Sequence, residues 1–312
     1  MLKVDRKNIP NRLLHFFADS QDSQGDATDI TLPLGVLSQS DGYHEYWSDG
    51  SQVAQLKYQG ETAFNAIESD EHLVIVVRKN DTDFAETVTA AYQFAYDSSS
   101  QLGYKHLLRT WNYINDINAF EQGIERYQTF CVARYQVMEQ LDQLAAPNPA
   151  ATAIGSKDGT NLFVFLFSKT PGTVIENKRQ VSAWQYPKIY SPKQPRFSRA
   201  KKVGGLLMCS GTASVVGHET IHLDDLSSQF DECMTNVNAL IKDSELPISL
   251  QSGLFRFYLR DPDLLDQVVD KINEYGINQY MVLEGDVCRE NLLIECEAVF
   301  QSSLKPVKID RL

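Results

Sequence analysis

The chain has 312 residues, 43% hydrophobic and 22% charged, which is typical of a soluble globular protein long enough for two domains. Acidic residues outnumber basic ones by 41 to 29, which argues against nucleic acid or an anionic membrane as the main partner. We therefore expect neither of these partners, and we expect local groups of arginine to mark any site for an anion.

The N terminus and the cysteines bear on the cellular compartment. Residues 1–7 carry charges where a signal peptide needs an apolar run, and no stretch approaches the ~18–20 apolar residues of a membrane span. The five cysteines form no CxxC pair and are odd in number. We expect reduced thiols in a cytoplasmic protein.

The first half of the chain predicts short strands and two helices. Gly, Asp, Asn and Ser separate the strand-like runs, which cover residues 12–17, 30–34, 43–47, 53–58, 72–79, 106–113 and 161–168. A helix is predicted over 84–96, with Asp83 or Thr82 as its N-cap. Apolar residues at spacings of three and four predict a long helix over 118–144, which Pro147 stops.

The second half repeats this plan, with strands predicted at 203–213, 254–259, 280–283 and 292–300 and helices at 225–242 and 263–275. Long crossovers favour sheets with helices packed against them. A weak internal repeat supports two copies of one domain, because H-L-L-R-T-W at 106–111 resembles G-L-F-R-F-Y at 253–258, and each is followed by an aspartate and a helix. The alternative is convergent amphipathic patterning.

Residues 177–222 form the most informative segment. Its first half is too rich in proline for a helix and carries Tyr186, Tyr190 and three arginines, including Arg199. Its second half is a buried-strand pattern that is broken at Ser210-Gly211-Thr212. Arginine grips a carboxylate with two parallel hydrogen bonds, so this segment predicts a site for a small anion. The alternative is a structural loop whose arginines face water.

His218-Glu219-Thr220-Ile221-His222 matches the H-E-x-x-H pattern of zinc proteases. That site needs a helix, so that both histidines face one metal. Here a β-branched run precedes the motif and Asp225 is the predicted N-cap of the next helix, which places the motif in a loop. The sequence also lacks a phosphate loop and a GxGxxG motif, so we expect no metal and no cofactor.

Glu295 and Glu297 flank Cys296 in an otherwise apolar strand. Alternation puts both carboxylates on one face, where like charge and burial raise at least one pKa. A carboxyl group that stays protonated near neutral pH is suited to general acid catalysis. The alternative is an edge strand with a solvated face, and the pattern does not select between the two glutamates.

Residues 197–300 resemble the RidA (YjgF-type) fold in F-S-R-A, L-L-M-C-S-G, the helix with Gln229 and Asn236, and the terminal I-E-C-E-A. Deaminases of that family carry an arginine at the start of the penultimate strand. Residues 277–281 contain no arginine, which implies that the imine-hydrolysing site is lost.

A longer set of segments, spread over about residues 105–300, resembles the chorismatases. The segments are L-R-T-W-N-Y (108–113), G-I-E-R-Y-Q-T-F (123–130), P-A-A-T-A-I-G (149–155), R-Q-V-S-A-W-Q-Y-P-K-I-Y (179–190), S-G-T-A-S-V-V-G-H-E-T-I-H (210–222) and C-R-E-N-L-L-I-E-C-E-A (288–298). Lys178 and Cys296 depart from the residues expected there, and Cys296 bears on the type of product.

The resemblance implies an α+β protein of two RidA/YjgF-like, chorismate-mutase-like domains, with mixed sheets and helices packed on one face. We expect an N-terminal degenerate domain at 1–172, a connecting segment that lines the site at 173–196, a catalytic domain at 197–301 and a tail at 302–312. We expect a monomer or a small homo-oligomer.

The resemblance also implies a function in secondary metabolism, the cofactor-free cleavage of chorismate into pyruvate and a hydroxybenzoate, with 3-hydroxybenzoate favoured over 4-hydroxybenzoate or a dihydroxycyclohexadiene carboxylate. Glu295 would protonate the enol ether. The residues expected to bind the substrate are Arg109, Arg199, Arg256, Tyr186, Tyr190, Cys209, Ser210, Gly211, Thr212 and Glu297. The alternatives are a RidA-like enamine/imine deaminase and a non-catalytic metabolite-binding protein.

Overall fold

Two mixed β-sheets face each other, and each carries a pair of helices on its outer face. The computed structural model describes residues 1–17, 28–56, 64–80 and 82–302. The first sheet has the order β22-β12-β9-β13-β8-β7-β6. Its strands are β6 (Ala54–Leu56), β7 (Phe64–Glu68), β8 (His72–Asn80), β9 (His106–Asn115), β12 (Ala150–Ser156), β13 (Thr160–Ser168) and β22 (Asp286–Val287).

The second sheet has the order β14-β15-β16-β23-β20-β21-β4, with β17 paired to β23 beside this path. Its strands are β4 (Val36–Gln39), β14 (Thr173–Ile175), β15 (Ala200–Val203), β16 (Leu206–Cys209), β17 (Thr212–Ala213), β20 (Gly253–Leu259), β21 (Tyr280–Glu284) and β23 (Ile294–Gln301).

The other described strands form smaller sheets. A four-stranded sheet near the N terminus consists of β1 (Lys3–Asp5), β5 (Glu45–Ser48), β2 (Leu14–Phe17) and β3 (Asp29–Thr31). Two short hairpins are formed by β10 (Phe120–Glu121) with β11 (Ile124–Glu125) and by β18 (Val215–Val216) with β19 (Glu219–Thr220).

The helices on the outer faces, within the described residues, are α1 (Phe84–Leu102), α2 (Arg126–Gln140), α3 (Leu226–Ser244) and α4 (Leu265–Glu274). The predicted N-caps Asp83 and Asp225 are confirmed, since each side chain accepts a backbone N–H of the first turn. Short 3-10 turns occur at Ala183–Gln185, Leu250–Ser252 and Pro262–Leu264. No helix of the described ranges is long and apolar enough to cross a membrane.

Alternation along the strands produces three layers of apolar core. The inner faces of the two large sheets and the small N-terminal sheet share one cluster, which includes Trp47, Trp111 and Met208. The outer face of the first sheet packs against α1 and α2, and that of the second sheet against α3 and α4. The predicted α+β class with helices on one face of each sheet therefore holds for both halves.

The two halves exchange edge strands, so the sheets do not separate at residue 172 or 197. Strand β4 of the N-terminal half pairs with β21, and β22 of the C-terminal half pairs with β12. Strand β14 lies at the start of the predicted connecting segment and pairs with β15. Residues 303–312 of the predicted tail, and Lys57 and Tyr58 of the predicted strand 53–58, lie outside the described residues.

Several predicted elements differ from the structure at their ends, and the helix predicted over 84–96 extends to Leu102. The helix predicted over 118–144 begins only at Arg126, because Gln122 and Gly123 have φ of 53° and 84° and close the hairpin of β10 and β11. The strand predicted over 203–213 is three strands, since a turn at Gly204 separates β15 from β16 and residues 210–211 separate β16 from β17.

A buried ion network joins the facing sheets, and Glu297 of β23 is its centre. One carboxylate oxygen of Glu297 lies 2.7 Å from Arg109 Nη2 of β9 and also accepts the hydroxyl of Thr152. The other oxygen lies 2.8 Å from Arg256 Nη1 and 3.2 Å from Trp111 Nε1. Groups from both large sheets thus meet on one carboxylate.

The network continues from Arg256 into the small N-terminal sheet. Arg256 Nε and Nη2 lie 2.9 and 2.7 Å from Glu45 Oε2, and Nη1 donates to Tyr113 at 3.0 Å. Glu45 also accepts hydrogen bonds from Trp47 Nε1 at 2.7 Å and from the Tyr43 hydroxyl. All of these groups are buried. The two arginines and two glutamates balance in charge, which a water-poor interface requires.

We predict that Arg256→Met lowers the free energy of unfolding by about 3–5 kcal/mol, because it leaves Glu45 and Glu297 buried without their shared cation. Urea titration at pH 7 measures this change. Lys178→Met is the control, because the Lys178 side chain is 89% exposed beside Asp243 and should cost about 0.5 kcal/mol or less.

Glu45→Gln supplies an intermediate case, since Arg256 keeps Glu297 and loses one charged partner. We expect it to be less destabilising than Arg256→Met. Equal stabilities for all three variants would contradict the idea that this network joins the sheets.

Candidate active site

A cavity of about 570 Å³ lies beside the bulged part of the second sheet. The connecting segment contributes Tyr186 and Tyr190 to its wall, and hairpin β10–β11 and the start of α2 contribute Phe120, Glu125 and Tyr127. The loop after β22 contributes residues 288–292. Elements of both halves therefore form one cavity, of a size suited to a small metabolite.

Glu295 of β23 lines this cavity and is almost entirely buried, with 5% of its surface exposed. Burial raises its pKa to about 8, and the negative charge of Glu297 acts in the same direction. The nearby guanidinium groups of Arg109, Arg199 and Arg289 oppose that rise only in part. Glu295 is consequently a neutral carboxylic acid at pH 7, able to donate a proton.

A β-bulge beside Glu295 makes room for its side chain. Met208 pairs with Val299 and Thr212 pairs with Cys296, so one strand advances four residues while β23 advances three. Gly211 lies within this bulge, and a Cβ there would come within 2.0 Å of Glu295 Oε1. The close approach explains why glycine occupies the position.

The neighbours of Gly211 fix the bulge against the first sheet. The Gly211 N–H donates to Ala151 O at 3.0 Å, and Ser210 Oγ accepts the Ala151 N–H at 2.8 Å. Ser210 Oγ in turn donates to Ser198 O, and the Thr212 hydroxyl donates to Ser210 O. Of the predicted 209–212 group, only Gly211 lines the cavity, and the two hydroxyls are used for backbone contacts.

Arg199 and Tyr186, two of the residues expected to bind the substrate, line the cavity. Arg199 Nη2 donates to the Tyr186 hydroxyl at 2.6 Å and to Val181 O at 2.8 Å. Among the described residues, Arg199 Nε has no hydrogen-bond partner. A buried guanidinium N–H without a partner at a cavity wall is a ready donor for an anionic ligand.

Arg289 is a second cation on the cavity wall, and it was not among the predicted site residues. Its guanidinium carbon lies 4.0 Å from the ring centre of Tyr190 and 5.4 Å from that of Tyr186. Its Nη1 donates to His218 O at 3.0 Å and to Thr220 Oγ1 at 3.2 Å. Stacking on two tyrosines restricts this side chain to one orientation.

Other cavity residues were also absent from the predicted set. Burial raises the pKa of the Glu125 carboxyl, which accepts a hydrogen bond from Asn118 Nδ2 at 3.0 Å. Burial raises the pKa of the Cys288 thiol to about 12, so this thiol stays protonated. Cys288 and Arg289 lie in the segment 288–298 that carries the family resemblance, which was the available signal.

Arg109, Arg256, Glu297 and Cys209 are not brought to the cavity. The first three form the buried ion network, where each charge already has an opposite partner. Cys209 packs on the outer face of the second sheet, in the cluster with α3. The expectation that Arg256 clamps a substrate carboxylate is therefore not supported by its position.

The H-E-x-x-H motif spans the hairpin of β18 and β19, with Gly217 and His222 at positive φ. The two histidines thus lack the helical spacing of a zinc protease. His218 Nδ1 lies 3.2 Å from the Tyr190 hydroxyl, so the hairpin supports the tyrosine wall. Within the described ranges, no group of three or more His, Cys, Asp or Glu side chains could hold a metal ion.

Residues 45–167 match the family model for the N-terminal part of FkbO/Hyg5-like chorismatases. A 3-hydroxybenzoate synthase from Streptomyces hygroscopicus is 38% identical over 236 residues, 69% of each chain. The chain belongs to the chorismatase family. A chorismatase of the same organism is 33% identical over 74% of this chain and 72% of its own length.

A solved chorismatase structure supports the same assignment at the level of the fold. It superposes with a TM-score of 0.80 at 26% identity and covers 96% of this chain and 98% of its own. The resemblance drawn from the six segments and the α+β fold class are both confirmed. The similarity extends over both halves of the chain.

We predict that Gly211→Ala abolishes most activity without unfolding the protein, because the new Cβ would displace the Glu295 carboxyl from its place at the cavity. Gly205→Ala is the matched control, since the nearest atom to its added Cβ is 3.5 Å away, an ordinary contact. Turnover and thermal unfolding measured side by side test this. Full activity of Gly211→Ala would show that the carboxyl is not needed at that position.

Proposed function

We propose that this chorismatase releases pyruvate from chorismate and forms 3-hydroxybenzoate. The observation that carries the proposal is a neutral carboxylic acid, Glu295, that shares a cavity with the guanidinium groups of Arg199 and Arg289. Chorismate is a dianion with an acid-sensitive enol ether, so its cleavage requires both a proton donor and cationic groups.

The two arginines suit the two carboxylates of the substrate. Arg199 offers an N–H that no described residue accepts, and Arg289 lies over the Tyr190 ring with part of its fork bound to the hairpin of β18 and β19. The protein has a net charge of −12, so these local cations must offset an unfavourable field for an anionic ligand. Tyr186 supports Arg199 through its hydroxyl and adds an aromatic surface.

Glu295 supplies the proton in the proposed reaction. Protonation of the enol ether methylene gives an oxocarbenium ion, and pyruvate leaves when the neighbouring ring hydroxyl attacks the carbon that carries the ether. The attack leaves an epoxide, which opens at its C–O bond to the carbon that first carried the hydroxyl. Loss of the ring proton from the other epoxide carbon to the Glu295 carboxylate then gives 3-hydroxybenzoate and restores the protonated acid. No water is consumed on this route, whereas attack by water would give a dihydrodiol.

The choice of 3-hydroxybenzoate follows the 38% identical relative, which is a 3-hydroxybenzoate synthase. The apolar and aromatic lining supports a route that excludes water, since Tyr127, Phe197 and Leu292 border the cavity. The protonated thiol of Cys288 adds no charge to this lining.

Incubation of the purified protein with chorismate tests the proposal directly. We expect stoichiometric pyruvate in a coupled assay and 3-hydroxybenzoate by chromatography, with activity unchanged after chelator treatment. A dihydrodiol or 4-hydroxybenzoate as the main product would overturn the product assignment. Absence of pyruvate would overturn the function and favour a metabolite-binding role.

We predict that Glu295→Gln lowers kcat by about 10²-fold or more, the usual contribution of a positioned acid, with little change in substrate affinity. The parent kcat should fall as pH rises through about 8, because the carboxyl then loses its proton. Steady-state kinetics from pH 6 to 10 give both results. Near-normal turnover of Glu295→Gln would exclude Glu295 as the acid.

Stability against pH provides a control that needs no substrate. The pKa of Glu295 is about 8 in the folded protein and 4.5 as the model value for an exposed glutamate. Its contribution to stability is full below pH 4.5 and is lost as pH rises through 8. Glu295→Gln should remove this decline, so the difference in Tm between variant and parent should grow over that range.

A further inference from the structure

Arg260 follows β20 and holds two walls of the cavity from outside it. Its guanidinium donates to the backbone carbonyls of Leu292 at 2.9 Å, Val287 at 2.7 Å and Arg289 at 3.0 Å. The backbone N–H of Arg260 donates to Leu293 O at 3.0 Å as well. One side chain therefore donates hydrogen bonds to backbone carbonyls at the start, middle and end of the loop that carries Arg289.

The remaining guanidinium bonds reach β22 and the residues before hairpin β10–β11. Arg260 Nη1 donates to Asp286 at 2.8 Å and to Asn118 Oδ1 at 3.1 Å. Because Asn118 Oδ1 accepts this bond, its Nδ2 is turned toward Glu125 of the cavity wall, 3.0 Å away. The five donated bonds use the full donor capacity of an arginine, which a lysine cannot reproduce.

We infer that Arg260 is a positioning residue that fixes the 287–292 loop, and with it the Arg289 guanidinium, in the substrate-binding arrangement. The inference rests on the proposed function and extends it, since Arg260 itself does not line the cavity. A loop whose carbonyls lose their hydrogen-bond donor can adopt alternative conformations. When only a fraction of the molecules has the binding-competent conformation, the apparent affinity for the substrate falls by that fraction.

Arg260→Lys is the test variant, because it keeps the positive charge beside Asp286 and loses the fork that binds the loop carbonyls. We expect KM for chorismate to rise about 10–100-fold while kcat stays within about 2-fold of the parent value. This pattern results when an interaction made equally with the substrate and the transition state is lost. Arg78→Lys is the matched control, since Arg78 also donates to a backbone carbonyl, that of Thr31, away from the cavity. Its KM should match the parent.

A double-mutant cycle separates positioning from a general loss of stability. In an Arg289→Lys background, Arg260→Lys should raise KM by only about 2-fold, because the group it positions is already lost. The same factor in both backgrounds, or an Arg260→Lys KM equal to that of the parent, would overturn the inference.

Hydrogen exchange provides a readout that needs no substrate. The amides of 287–292 should exchange faster in Arg260→Lys than in the parent, while those of α1 stay unchanged. Equal acceleration in both regions, or none in the loop, would contradict a positioning role. If the parent enzyme left chorismate intact, the proposed function would fail and the exchange result alone would decide the role of Arg260.

Discussion

The ion network around Glu297 is the interaction on which the rest of the structure depends. Removing four charges from water is costly, and the cost is offset only when each charge meets an opposite one with good geometry. Arg109 comes from one large sheet and Arg256 from the other, so the pairing fixes how the two sheets face each other. That alignment sets where Glu295, two residues earlier on the same face of β23, meets the wall of the other half.

The same network explains how an acid and two cations coexist in one cavity. A guanidinium paired with Glu295 would favour its ionised form and remove the proton that the reaction needs. Arg109 is instead paired with Glu297, and the forks of Arg199 and Arg289 are partly bound to neutral oxygens of Tyr186, Val181, His218 and Thr220. The ionised Glu297 then adds its repulsion to the effect of burial on Glu295.

The features of the fold that depend on strand and helix periodicity could be predicted from local patterns in the sequence. The two similar segments 106–111 and 253–258 lie in β9 and β20, which place Arg109 and Arg256 on facing inner surfaces. Alternation could not tell Glu295 from Glu297, because both lie on one face of β23 and differ in what they meet there, two arginines at Glu297 and the cavity at Glu295. Arg289 sits in a loop without periodicity, and the start of α2 was missed because Gln122-Gly123 closes a hairpin inside an apolar pattern.

The exchange of edge strands makes the site a property of both halves together. Strand β22 pairs with Ile154 and Gly155 of the first sheet, and the chain then enters the loop with Cys288 and Arg289 before it returns to β23 of the second sheet. Gly155 permits this approach, since a Cβ there would come within 2.6 Å of Ile117 and 2.8 Å of Asp286. One end of the loop is therefore attached to the first sheet and the other end to the second sheet. A separated C-terminal half would keep Glu295 but would lose the contact with the first sheet that positions Arg289 beside it.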